Sequence, residues 1–220
     1  MTLPRIVAPG YPHHIMLRGN NRRRLFSYTS DYRIFIKMVE SATERFPVEL
    51  HNLVLMTNHL HIIATPANAP SLSWWVKDFA YKWACLRNQK RAGSGKVFEQ
   101  RFLSFIIDSD AYLEACTKYV ELNPVRAGLC STAATYPWST YRLHAGEPKS
   151  EVSEASWTPG RWYEGLGDDV TARRQMFRAA LGEYDGSGLP SKHEEQIIAV
   201  ETLSDPHKHR PERPNRQRAM

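Results

Sequence analysis

Two imidazoles one residue apart, His59 and His61, lie inside the apolar run 54–65, Val-Leu-Met-Thr-Asn-His-Leu-His-Ile-Ile-Ala-Thr. On a strand, alternate side chains leave the same face, so the two rings project together while Leu60 packs on the other side. Their Cα atoms then sit roughly 6.5–7 Å apart, a spacing from which two ring nitrogens converge on one cation. The competing reading is structural: two histidines lining a half-buried strand, each satisfied by hydrogen bonds. A second half-site is needed to choose between them.

That half-site lies in residues 112–128, Tyr-Leu-Glu-Ala-Cys-Thr-Lys-Tyr-Val-Glu-Leu-Asn-Pro-Val-Arg-Ala-Gly. Helical spacing puts Tyr119 and Asn123 on one face, one turn apart, and turns Glu121 away from both. A strand bearing His-hydrophobic-His, then Tyr followed four residues later by an amide, resembles the single-tyrosine HUH transposases. Three stretches narrow the resemblance: Pro12-His-His14 with Arg18-Gly19-Asn20, Met56-Thr-Asn-His-Leu-His61, and Tyr119-Val-Glu-Leu-Asn-Pro-Val-Arg-Ala-Gly128. In that order they resemble the REP-associated tyrosine transposases, or RAYTs, over about residues 9–143. The resemblance implies cleavage of single-stranded DNA near short palindromic hairpins, with a 5′-phosphotyrosine at Tyr119 and a free 3′ hydroxyl. Such a link keeps the bond energy, so rejoining needs no ATP.

The residue types agree with that chemistry. A phenol of pKa about 10 is almost wholly protonated at neutral pH, so Tyr119 needs help as a nucleophile. A divalent ion on His59 and His61, with the Asn123 side-chain oxygen as third ligand, polarises a phosphoryl oxygen and keeps positions open for substrate. Two imidazoles and an amide suit Mg²⁺ or Mn²⁺ better than a closed tetrahedral zinc site. Each assignment has an alternative. Tyr119 also reads as an amphipathic core-edge residue, and Asn123, placed before Pro124, as a helix terminator. Glu121 replaces Asn123 as ligand if the helix ends early. His13 and His14 straddle a strand, one facing in and one out, and read as satisfied or substrate-facing before they read as ligands.

The elements that must position these groups follow from periodicity. Residues 11–17 read as a strand and 18–24, Arg-Gly-Asn-Asn-Arg-Arg-Arg, as a basic turn tolerant of unusual backbone angles. Ser30 or Asp31 caps a helix with Phe35, Met38, Val39 and Ala42 on its apolar face, ending by Pro47. Residues 49–56 and 59–65 form two strands joined at Thr57-Asn58. Ser71 opens a second helix with Leu72, Trp75, Phe79, Trp83 and Leu86 along one stripe, broken at Gly93-Ser-Gly95. Residues 97–107 form a further strand, and Asp108-Ser-Asp110 caps the helix that carries Tyr119. The order β-α-β-β-α-β-α predicts an α+β fold, a ferredoxin-like four-stranded antiparallel sheet with helices on one or both faces, which the resemblance also implies. We place the catalytic domain at 1–148, an accessory aromatic and helical extension at 149–184, and a basic, disordered tail too polar to fold alone at 185–220.

Composition bounds the partners. With 42% hydrophobic and 11% aromatic residues the chain is a folded protein, and a net charge of +6 favours a polyanion. No signal-peptide core or membrane-length apolar run is seen, so no membrane partner and a cytoplasmic, nucleoid-associated location are expected. Cys85, Cys116 and Cys130 lack Cys-X-X-Cys spacing and read as reduced thiols in or near the core. Arg18, Asn21, Arg22, Arg23 and Arg24 are candidates to grip single-stranded or hairpin DNA, although a solvated turn is the usual meaning of such a run. Lys77 and Lys82, with Tyr81, lie off the apolar stripe of the second helix and are further candidates for DNA-backbone contacts, as are Arg101 and Arg126 beside the expected site. RAYTs usually read Trp-Gln-Gly-Arg-Phe where this chain has Phe98-Glu-Gln-Arg-Phe102, which keeps Arg101 but adds an acid. The expected assembly is a monomer or a homodimer. The rival functions are a non-catalytic DNA- or RNA-binding regulator and a metal-dependent nuclease that uses water.

Overall fold

The computed structural model describes residues 6–90 and 93–182. The expected tail at 185–220 lies outside the described residues. Alternating apolar strands and amphipathic helices give β1 (His13–Arg18), α1 (Thr29–Arg45), β2 (Val48–Leu55), β3 (His59–Pro66), α2 (Ala69–Lys90), β4 (Leu103–Ile106) and α3 (Asp110–Arg126). Three shorter helices follow: α4 (Tyr141–Ala145), α5 (Arg161–Glu164) and α6 (Val170–Gly182). The four strands form one antiparallel sheet in the order β2-β3-β1-β4, the ferredoxin-like arrangement.

The sheet is covered on both faces. Ile15, Leu17, Leu53, Leu55, Leu60 and Ile62 join Phe35, Val39, Trp75, Phe79 and Trp83 in one apolar core beneath α1 and α2. The opposite face carries His14, His61, Asn52 and Val54, and there α3 packs on β2 and β3. A single β-bulge decides part of this. Leu50 pairs with Ala64 and Asn52 with Ile63, so His51 is the extra residue and Asn52 is turned from the apolar face to the α3 face. The bulged ring is held at both nitrogens, by the Thr158 carbonyl at 2.9 Å and Thr65 Oγ1 at 2.8 Å.

Edge strand β2 is closed by the chain that follows α3. Leu55 N–H donates to the Trp138 carbonyl, while the N–H groups of Thr140 and Thr158 donate to the Leu53 and Leu50 carbonyls. Leu122, Tyr141, Tyr163, Phe177 and Leu181 build a second apolar cluster from α3 to α6.

Several local expectations change. The strand expected at 97–107 shrinks to Leu103–Ile106, because residues 97–99 bond to the turn after β1 instead: Asn20 N–H donates to the Val97 carbonyl and Glu99 N–H to the Arg18 carbonyl. Helix α1 starts at Thr29, earlier than either expected cap; Asp31 lies inside it and accepts from the N–H groups of Ser27 and Tyr28. Asn68, before α2, accepts from Ser71 N–H. Ser109 caps α3 as expected, accepting from Tyr112 N–H. Cys116 is buried and Cys130 partly so, but Cys85 is exposed, since its position on α2 falls opposite the stripe that meets the sheet. Among the described residues no helix is long and apolar enough to cross a membrane.

Candidate active site

Strand β3 delivers the histidine pair as its alternation requires. His59 and His61 lie on the α3 face with ring centres 5.0 Å apart, and Leu60 between them is fully buried in the opposite core. His59 Nδ1 lies 2.8 Å from Asn58 Oδ1. His61, buried to 1% exposure, has its Nδ1 at 2.9 Å from His14 Nε2 on β1. Burial holds His61 well below its ordinary pKa, assisted by the charges of His14, His59, Arg18 and Arg126. Burial likewise lowers His14 to about 4. Both rings are neutral at physiological pH, the state a metal ligand requires.

Helix α3 brings the second half. The Tyr119 ring meets His61 edge-on at 5.4 Å between centres and His14 at 5.9 Å. The Arg126 guanidinium stands 5.1 Å from the centre of the same phenol. Asn123 is helical despite Pro124, since α3 runs on to Arg126, and its Nδ2 donates to the Tyr119 carbonyl at 2.9 Å. This leaves Oδ1 as its acceptor. Among the described residues no three His, Cys, Asp or Glu side chains form a metal-holding cluster. The Asn123 amide oxygen has the right chemistry, and the donor set of two neutral imidazoles and one amide fits Mg²⁺ or Mn²⁺.

Glu121 points away, as helical spacing requires, into the layer behind the site. It is fully buried and accepts from Asn52 Nδ2 at 2.8 Å and Thr140 Oγ1 at 2.6 Å. Burial raises its pKa to about 7, against the lowering effect of those bonds. His144 lies beside it at 3.6 Å, donates Nδ1–H to the Thr140 carbonyl, and is lowered to about 3 by burial. Engaged in this way, Glu121 is not placed to serve as a ligand in the His pair's layer. His13 and His14 take opposite faces, but both are buried because helices or loops cover both faces; His13 Nδ1–H donates to the Tyr11 carbonyl.

The basic residues divide into two groups. Arg18 stands directly across from His59 in the β1–β3 pairing. The exposed turn Asn21, Arg22, Arg23, Arg24 follows it, with left-handed backbone at Asn21 and Arg22. Gly19 starts this turn because an added Cβ would fall 2.2 Å from the Arg23 carbonyl oxygen. Asn58 ties the turn to the His59 strand, its Nδ2 donating to the Arg22 carbonyl at 3.1 Å. Arg101 is exposed on the segment that pairs with this turn, and Arg126 is exposed at the end of α3. Lys77 and Lys82 are exposed on α2, the layer across the sheet, and Lys82 pairs with Asp78 at 3.1 Å. The structure does not bring these two to the His pair.

The family model for IS200-like transposases matches residues 9–123. The chain belongs to the IS200-like transposase family. The match runs from the loop before β1 to Asn123, so the IS200-like region of this transposase contains the His pair, Tyr119 and Asn123 and ends before α4. No curated protein matches the chain. A solved structure of a REP-associated tyrosine transposase bound to a REP hairpin shares the fold, with a TM-score of 0.56 at 17% identity; the alignment covers 73% of this chain and 92% of that one.

Proposed function

We propose that this IS200-like transposase cleaves and rejoins single-stranded DNA through a covalent 5′-phosphotyrosine on Tyr119, at sites beside short palindromic hairpins. The observation that supports the reading is the packing of the Tyr119 ring of α3 against His61 of β3 at 5.4 Å, the juxtaposition that a phenol nucleophile beside a metal-binding His pair would need. The hairpin substrate is supported by the fold shared with the hairpin-bound REP-associated enzyme.

In this reading His59, His61 and the Asn123 oxygen hold Mg²⁺ or Mn²⁺, which when bound polarises a phosphoryl oxygen of the scissile phosphate. Tyr119 forms the new bond to phosphorus as its phenol gives up a proton; the bond to the 3′ oxygen breaks, and that oxygen gains one. Arg126 beside the phenol and Arg18 beside His59 set permanent positive charge where the nucleophile and the phosphate carry negative charge. Asn21, Arg22, Arg23, Arg24 and Arg101 line the adjoining surface and guide the strand, with phosphate contacts fixing register and Asn21 reading a base edge. Lys77 and Lys82 lie across the sheet and belong to an outer contact at most. The first experiment is a denaturing gel of labelled single-stranded hairpin DNA incubated with the protein and Mn²⁺. A protein-linked band supports the reading; cleavage without one indicates a water-using nuclease, and binding without cleavage a regulator.

A further inference from the structure

His14 lies outside the motifs that define the candidate site, yet its contact with His61 is specific in direction. The nitrogens are 2.9 Å apart and the ring centres 5.2 Å, with the planes 22° from parallel. The centres exceed the nitrogen separation by nearly two ring radii, so both nitrogens lie close to the line joining the centres. The rings therefore meet edge to edge in nearly one plane, the arrangement of an N–H···N hydrogen bond. Two imidazoles turned toward one shared cation would instead angle together, with their centres closer for the same nitrogen spacing.

One proton occupies this contact, and its side decides what His61 can do. If His14 donates, His61 is the Nε2–H tautomer and has no lone pair on that nitrogen. If His61 donates, its Nε2 carries the lone pair outward. We propose that His14 is a positioning residue: its Nε2 accepts Nδ1–H from His61, which fixes the His61 tautomer and ring angle and makes Nε2 the atom that takes the divalent cation. Carboxylates and carbonyls commonly play this part behind ligating histidines, and their loss weakens metal binding 10–100-fold. Here the acceptor is a buried imidazole from the neighbouring strand. It is held in turn by Phe105 and Tyr119, at 6.3 and 5.9 Å between centres, so its angle is fixed by β4 and α3.

The inference rests on the proposed use of His61 as a ligand, and the test separates the two. Mn²⁺ is titrated calorimetrically into the full chain and into His14→Phe and His14→Gln, without DNA. Long-range proton–nitrogen NMR of the wild type with Mg²⁺ reads the His61 tautomer. The expected result is Mn²⁺ binding by the wild type, weakening of about 10–100-fold in His14→Phe, recovery to within a few-fold in His14→Gln, whose Oε1 can accept the same hydrogen, and Nδ1–H on His61. A wild type that binds no Mn²⁺ overturns both the metal reading and this inference. Wild-type binding with equal affinity in His14→Phe, or an Nε2–H tautomer of His61, overturns the role of His14 alone. Should His14→Phe fail to fold, the tautomer and the His14→Gln affinity still decide.

Discussion

Asn123 donates its side-chain amide to the main-chain carbonyl of Tyr119, one turn back along α3. The bond orients the amide, so the oxygen proposed as a ligand and the phenol proposed as nucleophile move together as one turn of helix.

Asn123→Ala should therefore weaken Mn²⁺ binding and abolish DNA cleavage, while lowering folding stability by only about 1 kcal/mol, the usual net value of one hydrogen bond. Asn123→Asp keeps an oxygen donor and should retain most of the Mn²⁺ affinity. Calorimetry and chemical denaturation of the two variants check this; unchanged affinity in Asn123→Ala would remove Asn123 from the ligand set.

Glu121 should tune stability and not metal binding. Its pKa rises from 4.5 to about 7 on folding, so between those values the native state keeps a proton that the unfolded chain has released. Its neutral form favours folding fully below about 4.5, and that contribution is lost as pH rises to 7, by about 3 kcal/mol in all. Glu121→Gln mimics the neutral acid. Its stability relative to wild type should rise between pH 5 and 7.5 in urea denaturation, with Mn²⁺ affinity unaltered. A constant difference across that range would contradict the assignment.

The buried imidazoles act in the opposite sense. His13, His14, His51, His61 and His144 are all lowered from 6.5 by burial, so below that pH the unfolded chain binds more protons than the native state. Stability of Glu121→Gln, which lacks the Glu121 carboxyl, should fall from pH 6.5 to pH 4.5. A flat profile there would show that these rings are protonated in the fold.

Much of this was legible in the sequence, and for identifiable reasons. Strand alternation placed His59 and His61 together, and helical spacing placed Tyr119 with Asn123 and turned Glu121 away, because both depend only on local geometry. The contacts that cross between elements were not legible. The His14–His61 bond needs the β1–β3 register, and the Asn52–Glu121 bond needs a bulge at His51 that no local signal announces. The short β4 has the same origin: Val97 and Phe98 are apolar and read as the start of a strand, but the turn after β1 takes the hydrogen bonds of residues 97–99. Lys77 and Lys82 look like any basic residues off an apolar stripe; only the sheet shows which side of it they occupy.

The basic turn gives a prediction from electrostatics. Its internal ties use the main-chain carbonyls of Arg22 and Arg24, bonded by Asn58 and Arg87, so replacing Arg22, Arg23 and Arg24 with Ala leaves the turn intact. Single-strand affinity should drop, and the log–log salt slope should flatten by roughly 0.7 per lost phosphate contact. The Lys77→Ala, Lys82→Ala double variant should change the slope less. Titrations at several salt concentrations read both, and an unchanged slope in the triple variant would take this turn out of the DNA path.

The central claim is that Tyr119 becomes covalently joined to DNA. Its most direct test is mass spectrometry of proteolytic peptides after the protein is incubated with Mn²⁺ and a single-stranded hairpin substrate, then denatured. The account predicts a nucleotide attached through its 5′ phosphate to the peptide containing Tyr119, and none in Tyr119→Phe, which should still bind the hairpin. Cleaved DNA with no nucleotide on that peptide, or an equal adduct formed by Tyr119→Phe, would contradict it.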